Sequence, residues 1–566
     1  MKTKKNIGLL AAAALAGLSV IACNRHSAEP PPEAYFATNP APLTLGEVQH
    51  NPGPVITSLS PEGIEAGPIE LTPEAYFTTN PDPLILGEVQ HNAGAVITGL
   101  SPEGEEAGLT ELNIPPAING VAVTGIGESA FWSGDWGAAA NRGPLASVII
   151  PEGVQSIGGD AFRLNSLTEV TIPGSVQSIG WGAFDNNNLT EVTIPGSVQA
   201  IGGYAFAGNN LTEVTIPVSV QSIGAGAFFG NSLTEVTIPY GVQSIGARAF
   251  ENNNLTEVTI PSSVQWIGIS AFQRNNLTEV TIPYGVQSIG GWAFAGNNLT
   301  EVTIPGSVQS IGGSAFAGNS LTEVAIPYGV QSIDGFSNNS LTEVTIPPSV
   351  QTIGSWAFAN NSLTEVTIPY GVQSIGLRAF EFNSLTEVTI PGSVQTIEDE
   401  AFQNNSLTKV TIPGSVQSIG HSAFLNNSLT EVVIHYGVQW IGGWAFRNNS
   451  LTEVTIPGSV QSIGGGVFWN NNLSEVTIPA SVQSIGSNAF RDNNLTEVTI
   501  PGSVQTIGGN AFAGNPLARV TFMGTPSNVN ETAFEPGGGD IVAGLAGATQ
   551  PVTFVRTADG QGWELE

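Results

Sequence analysis

Residues 189–210 read LTEVTIPGSVQAIGGYAFAGNN, and nearly the same 22 letters return along most of the chain. Leu189, Val192 and Ile194 are apolar with Thr and Glu between them, the pattern of a short strand with one face inward. Pro195 ends that strand, because proline has no N–H to give to a ladder. Val198 and Ile201 mark a second extended stretch that also points inward. Gly202 then permits a turn into a short helical or 3₁₀ segment carrying Ala205 and Phe206, and Asn209 closes the coil. One such unit cannot bury its own Leu, Val, Ile and Phe, whereas stacked neighbours can. The predicted fold is a solenoid, mainly β with parallel strands and short helical or 3₁₀ turns.

Outward from that unit, a Leu anchor recurs every 22 residues from Leu145 to Leu517, except for one step of 20 between Leu321 and Leu341. A degenerate first unit starts at Leu109 and carries an insertion at residues 133–143 before Leu145. About eighteen coils at ~4.8 Å each would give a stack roughly 85–90 Å long. The ends depart from the pattern, as the caps of a solenoid must. Residues 32–72 and 73–113 are a tandem duplication offset by 41 residues. The second copy runs into the first coil, which makes 73–108 the expected N-terminal cap. The first copy is a further cap-like module or a semi-ordered stalk. Repeats fill 109–534, and 535–566 is the expected C-terminal cap, covering the last Phe and the open sheet edge.

The N-terminus reads as a processing segment. Met1 to Lys5 carries three lysines, Ile7 to Ile21 is apolar, and small residues precede Cys23, the single cysteine of the chain. Residues 1–22 are thus an expected signal peptide, too short for an ordinary membrane span. Cys23 is either incidental in a discarded leader or the diacylated first residue of a bacterial lipoprotein, and its position after a small residue and an apolar run favours the second. Residues 23–31, polar and Pro-rich, would then be a tether. Loss of the leader removes Lys2, Lys4 and Lys5, makes the formal net charge of −32 three units more negative, and leaves Lys409 as the last lysine. So acidic a chain repels nucleic acid and anionic lipid and favours basic partners or multivalent cations.

The pattern LxxVxIPxxVxxIGxxAFxxNx over residues 109 to about 534 resembles the BspA-like, treponemal-class leucine-rich repeat of bacterial surface proteins. The IP after the strand and the IGxxAF run carry the likeness, and VITGLSPEG with IPPAINGVAVTGIGESAF resembles that family's first coil. One departure is Asn two residues before the anchor Leu, where family members often have Cys. The resemblance implies a leucine-rich-repeat solenoid at the cell surface or bacterial outer membrane, engaged in adhesion to host matrix or plasma proteins or to other cells.

Five kinds of position carry chemistry. The Asn before each anchor, Asn165 to Asn515, is expected to form a ladder of amide hydrogen bonds, and the Phe row, Phe131 to Phe534, is expected to be core. A Glu row at Glu169, Glu191, Glu213, Glu235, Glu257, Glu279, Glu301 and Glu323, continuing to Glu497 with one break at Lys409, faces outward by strand alternation. Neighbouring carboxylates about 4.8 Å apart repel by roughly 0.9 kcal/mol in water. The row is either an ordinary solvated face or an acidic strip for a basic partner or for weak, at best millimolar, Ca²⁺ binding. Tyr240, Tyr284, Tyr328, Tyr370 and Tyr436 follow the strand Pro position, and Trp181, Tyr204, Trp292, Trp356 and Trp444 stand in the pair before Ala-Phe. These aromatics either point outward as partner-binding anchors or lean over the coil corners. His26, His50, His91, His421 and His435 show no metal-ligand spacing, and no cofactor or enzymatic site is expected. A structural spacer with its function in the terminal modules is the alternative to an adhesin.

Overall fold

The computed structural model describes residues 55–56, 94–97, 99, 110–118, 120–134, 144–546 and 551–566. Cys23, the leader, the tether, the insertion around Asp135 and nearly all of the duplicated modules lie outside the described residues. The body is a parallel-strand solenoid of about 17 turns with repeats of about 22 residues. Its one core runs the length of the stack, because each coil contributes the same Leu, two Val, two Ile, Ala and Phe to it.

Every coil has two strand sides. On one side the Gln-Ser-Ile strands pair in parallel from coil to coil, in a 12-stranded sheet that also holds an antiparallel branch at Ala117–Ile118 and then in a 10-stranded sheet. Register is kept because each strand meets its equivalent one coil on, as in Ser288–Ile289 beside Ser310–Ile311. On the other side the Glu-Val-Thr strands pair only in patches, such as Glu235–Thr237 with Glu257–Thr259, or through single bridges such as Thr171 to Thr193. From residue 168 to 234 the Thr-to-Thr bonds of this side measure 3.3–3.4 Å, whereas the matching Gly-to-Ile bonds of the Gln side (Gly202, Gly224 and Gly246 N–H) measure 2.9–3.0 Å.

The helical turns expected after the Gln strand take the form of two successive hydrogen-bonded turns. Tyr204 and Gly208 adopt φ of 54° and 60°, which stops a right-handed helix from propagating. Tyr204, Phe206 and Gly208 instead donate their N–H groups to Ala225, Ala227 and Phe229 of the next coil, at 2.7–2.8 Å. The third side is therefore as tightly stitched as the Gln side. Inside it the phenylalanines form one stack from Phe131 to Phe534, with centroids mostly 5.1–5.7 Å apart and the widest step, 6.0 Å, at Phe336–Phe358. That is offset stacking within the favourable range.

The Asn ladder ties coil to coil through the backbone. Asn209 accepts from Leu189 N–H at 3.0 Å and donates to the carbonyls of Phe184 (2.9 Å) and Phe206 (3.1 Å). The same bonds recur from Asn165 to Asn515. A buried amide with donors and acceptors can satisfy three backbone groups that the coil corner leaves unpaired.

At the N-terminal end Val55–Ile56 pairs parallel with Val96–Ile97, the equivalent residues of the second duplicate. At the other end Val552–Arg556 pairs antiparallel with Arg519–Phe522, and Trp563–Leu565 pairs with it in turn. A helix, Gly538–Leu545, buries Ile541 and Leu545 there. Trp563 donates its indole N–H to the carbonyl of Phe534 at 3.3 Å, in the place an Asn amide fills elsewhere. None of the helices among the described residues is long and apolar enough to cross a membrane.

Candidate partner-binding surface

The corner between the two strand sides alternates in sequence, and the alternation has a local cause. Tyr240-Gly241, Tyr328-Gly329, Tyr370-Gly371 and Tyr436-Gly437 put glycine at φ of 127–143°, a conformation that side chains rarely adopt. The coil that follows offers a serine. Ser263 accepts from Gly241 N–H at 3.2 Å and donates to the carbonyl of Val242 at 2.9 Å. Gly329, Gly371 and Gly437 likewise donate to Ser349, Ser393 and Ser459. A Tyr-Gly corner is thus answered by a Ser above it at Tyr240, Tyr328, Tyr370 and Tyr436, whereas Gly285 after Tyr284 is not left-handed and Ser307 above it makes no such bond.

The five tyrosines of this corner are 75–78% exposed. Among the described residues none of them has a ring, ion-pair or side-chain hydrogen-bond partner. Between them stand Ser262, Gly306, Pro348, Gly392 and Gly414. The corner is a line of separate aromatic teeth, with both ring faces and the hydroxyl of each tooth open.

The second aromatic set is placed differently. Tyr204, Trp292, Trp356 and Trp444 all occupy left-handed backbone positions, with φ between 54° and 60°. Such a conformation costs a bulky residue on the order of 1–2 kcal/mol. From it the rings fold toward the adjoining coil. A Cβ at Gly226 would meet the Tyr204 ring at 2.6 Å, one at Gly466 the Trp444 ring at 2.4 Å, and one at Gly203 the Trp181 ring at 2.9 Å. Trp181 and Tyr204 also pack together at 5.6 Å, and Arg378 sits over Trp356 at 4.5 Å. Trp181, Trp292 and Trp444 keep about half their surface, while Tyr204 and Trp356 are half-buried. The recurrence of Gly182, Gly226, Asn488 and Asn510 at this position is the signal in the sequence that its backbone is left-handed.

Glu169, Glu191, Glu213, Glu235, Glu257, Glu279, Glu301 and Glu323 are all exposed, with their neighbours in register along the strand side. Apart from Arg519 with Glu566 at the C-terminal end, the ion pairs of the repeats lie instead at the Phe turns, where Arg163 holds Asp185 at 2.9 Å and Arg378 holds Glu400 at 2.7 Å. Burial pushes the carboxyls of Asp185 and Glu381 up despite those guanidinium groups. Among the described residues no three His, Cys, Asp or Glu side chains gather as metal ligands would.

Residues 137–254, 199–322, 309–430 and 417–537 match the family model described as the BspA type leucine-rich repeat region. Among curated proteins nothing matches the chain. A leucine-rich repeat protein from Bacteroides ovatus is 22% identical over 76% of this chain and 90% of that one, with a TM-score of 0.38. YopM from Yersinia enterocolitica is 17% identical over 81% and 91%, with a TM-score of 0.46. A leucine-rich cell surface protein from Faecalibacterium prausnitzii is 22% identical over 81% and 88%, with a TM-score of 0.26.

Proposed function

The chain belongs to the family of BspA-type leucine-rich repeat proteins, and from that premise we propose that it is a surface lipoprotein, anchored through Cys23, that adheres to protein partners along its solenoid. Solenoids of this class serve as binding scaffolds. The observation that carries the proposal is the tyrosine corner: five open rings on a rigid support, none of them needed by the fold. Tyrosine side chains have few rotatable bonds to freeze on binding and are among the residue types that dominate interface energies. Each tooth contributes a modest contact, and the row multiplies such contacts by avidity. The Glu row beside it selects for basic partners, and for cations it remains at best a weak, shared site.

The test is capture of host and bacterial surface proteins by the leader-free chain, set against a variant with all five tyrosines changed to Ala. Retention by the parent and loss by the variant, with unchanged circular dichroism, is the expected result. Equal retention by the variant overturns the tyrosine reading. Retention by the isolated terminal segments would establish the alternative, a spacer whose function lies in its ends.

A further inference from the structure

The Gln side is interrupted once, between Ser310–Ile311 and Ser332–Ile333, where the 12-stranded sheet stops and the 10-stranded sheet begins. The cause is the 20-residue coil. Ile333-Asp-Gly-Phe336 replaces the six residues Ile311-Gly-Gly-Ser-Ala-Phe316, and Phe336 still takes its place in the aromatic stack, 5.4 Å from Phe316. The Phe side stays joined, with Ser314 donating to the carbonyl of Asp334 at 2.7 Å and Phe316 to that of Gly335 at 2.8 Å. The missing length is felt on the Gln side, where ladder pairing lapses although the two strands stay within 8 Å of each other.

Three observations describe the lapse. Gln309 N–H bonds to Gln287 and Gln351 N–H to Gln331, both at 2.9 Å, but among the described residues no bond joins Gln331 N–H to Gln309, a gap shared with Gln461 and Gln439, where the strands nevertheless pair. Both residues are exposed, so these backbone groups face solvent and a ligand's hydroxyls can replace water there. A groove of about 670 Å³ runs over the break, lined by Trp266, Gln287, Gln309, Ile311, Gln331 and Ser332 among others, and no ionisable side chain lines it among the described residues. Trp266 occupies a strand position that is Ser or Thr in most coils, between Ser244 and Ser288, and is 38% exposed at the groove's end.

We propose that this groove binds an uncharged carbohydrate chain, with the Trp266 indole as the platform for a pyranose face and Gln287, Gln309, Gln331 and Ser332 as partners for its hydroxyls. An anion is disfavoured in so acidic a protein, and a cation meets no carboxylate in the lining itself, Asp334 being bonded to Ser332 at 3.0 Å. A peptide strand does not fit between the two unpaired strands. Their Cα atoms remain within 8 Å of each other, and an inserted strand needs about twice the ~4.8 Å ladder spacing. Sugar hydroxyls both donate and accept, so they can answer the free N–H and C=O groups together with the amide side chains. The coil repeat also approximates the length of one pyranose unit, so successive glutamines meet successive sugars.

The experiment is calorimetry and tryptophan fluorescence on the leader-free chain with cellohexaose, chitohexaose and β-1,4-mannohexaose as probes. At least one is expected to bind. Trp266→Ala should weaken it at least tenfold, whereas Trp440→Ala, at the same strand position in an unbroken ladder, should leave it unchanged. Replacing residues 334–336 with the Gly-Gly-Ser-Ala-Phe of residues 312–316 should close the break and weaken binding equally, without lowering the melting temperature. A variant with Tyr240, Tyr284, Tyr370 and Tyr436 changed to Ala should bind as the parent does, which separates this site from the protein-binding corner. The proposal is overturned if none of the three probes binds, if the rebuilt turn or Trp266→Ala binds as well as the parent, or if Trp440→Ala loses as much as Trp266→Ala.

Discussion

The two strand sides of each coil share a core, a pitch and a register, yet one is a near-continuous sheet and the other a series of patches. Their outward residues differ in one respect: neutral Gln and Ser on the first, Glu with Thr on the second. Where Glu faces Glu, as at Glu235 and Glu257 or Glu323 and Glu343, pairing reaches three residues at most. Where a basic residue faces Glu, as at Lys409 with Glu431 and Arg519 with Glu497, four residues pair. Lys409 pairs in this way with Glu431 but not with Glu387 on its other side, so charge facing charge across ~4.8 Å is one contribution to how completely a ladder closes.

Four measurements break or sharpen that comparison. The largest effect should come from Phe294→Ala, which empties a slot in the stack serving both sides and should cost about 3–5 kcal/mol by urea unfolding. Hydrogen exchange should then rise on both sides together; a rise on the Glu side alone would mean the sides do not share their core. Asn209→Ala removes three bonds to buried backbone groups and should cost about 1–3 kcal/mol. An unchanged melting curve would show that the amide ladder is dispensable. Glu213→Lys places a basic residue between Glu191 and Glu235 and should stabilise by roughly 0.2–1 kcal/mol, with the gain shrinking at high salt. No gain at low salt would remove charge as the cause of the patchiness. The smallest effect concerns Asp334, whose carboxyl burial pushes up, although Ser332 donates to it at 3.0 Å. A folded-state value above the unfolded one favours the protonated form, so its stabilising contribution is present at low pH and lost as pH rises through the folded value. Asp334→Asn should therefore exceed the parent in unfolding midpoint near neutrality, and the gap should close as pH falls into the carboxylate range.

Much of this was legible in the sequence. The inward Leu, Val, Ile and Phe and the corner Asn recur at fixed spacing, and such repetition admits one stacked arrangement. The tyrosines could be located but not oriented, because nothing in the letters YG tells which way a corner ring stands. The left-handed residues were hidden because Trp292, Arg378 and Glu400 occupy positions that Gly and Asn normally mark. The short step to Leu341 was visible as a count, but its effect on the Gln side depends on which of three sides absorbs two missing residues, and that is a matter of packing.

The Asn ladder points one way along the chain. Besides Leu189 of its own coil, Asn209 satisfies the Phe184 carbonyl of the coil before, so part of each coil's closure comes from its successor. A chain emerging from a ribosome or an export channel therefore assembles with a lag of one coil, each new corner locking the previous one like a ratchet. The final coil has no successor, and the Trp563 indole at Phe534 supplies the last closure. Premature termination anywhere upstream leaves an end that nothing locks, so truncated products carry an unfinished coil for proteases to find.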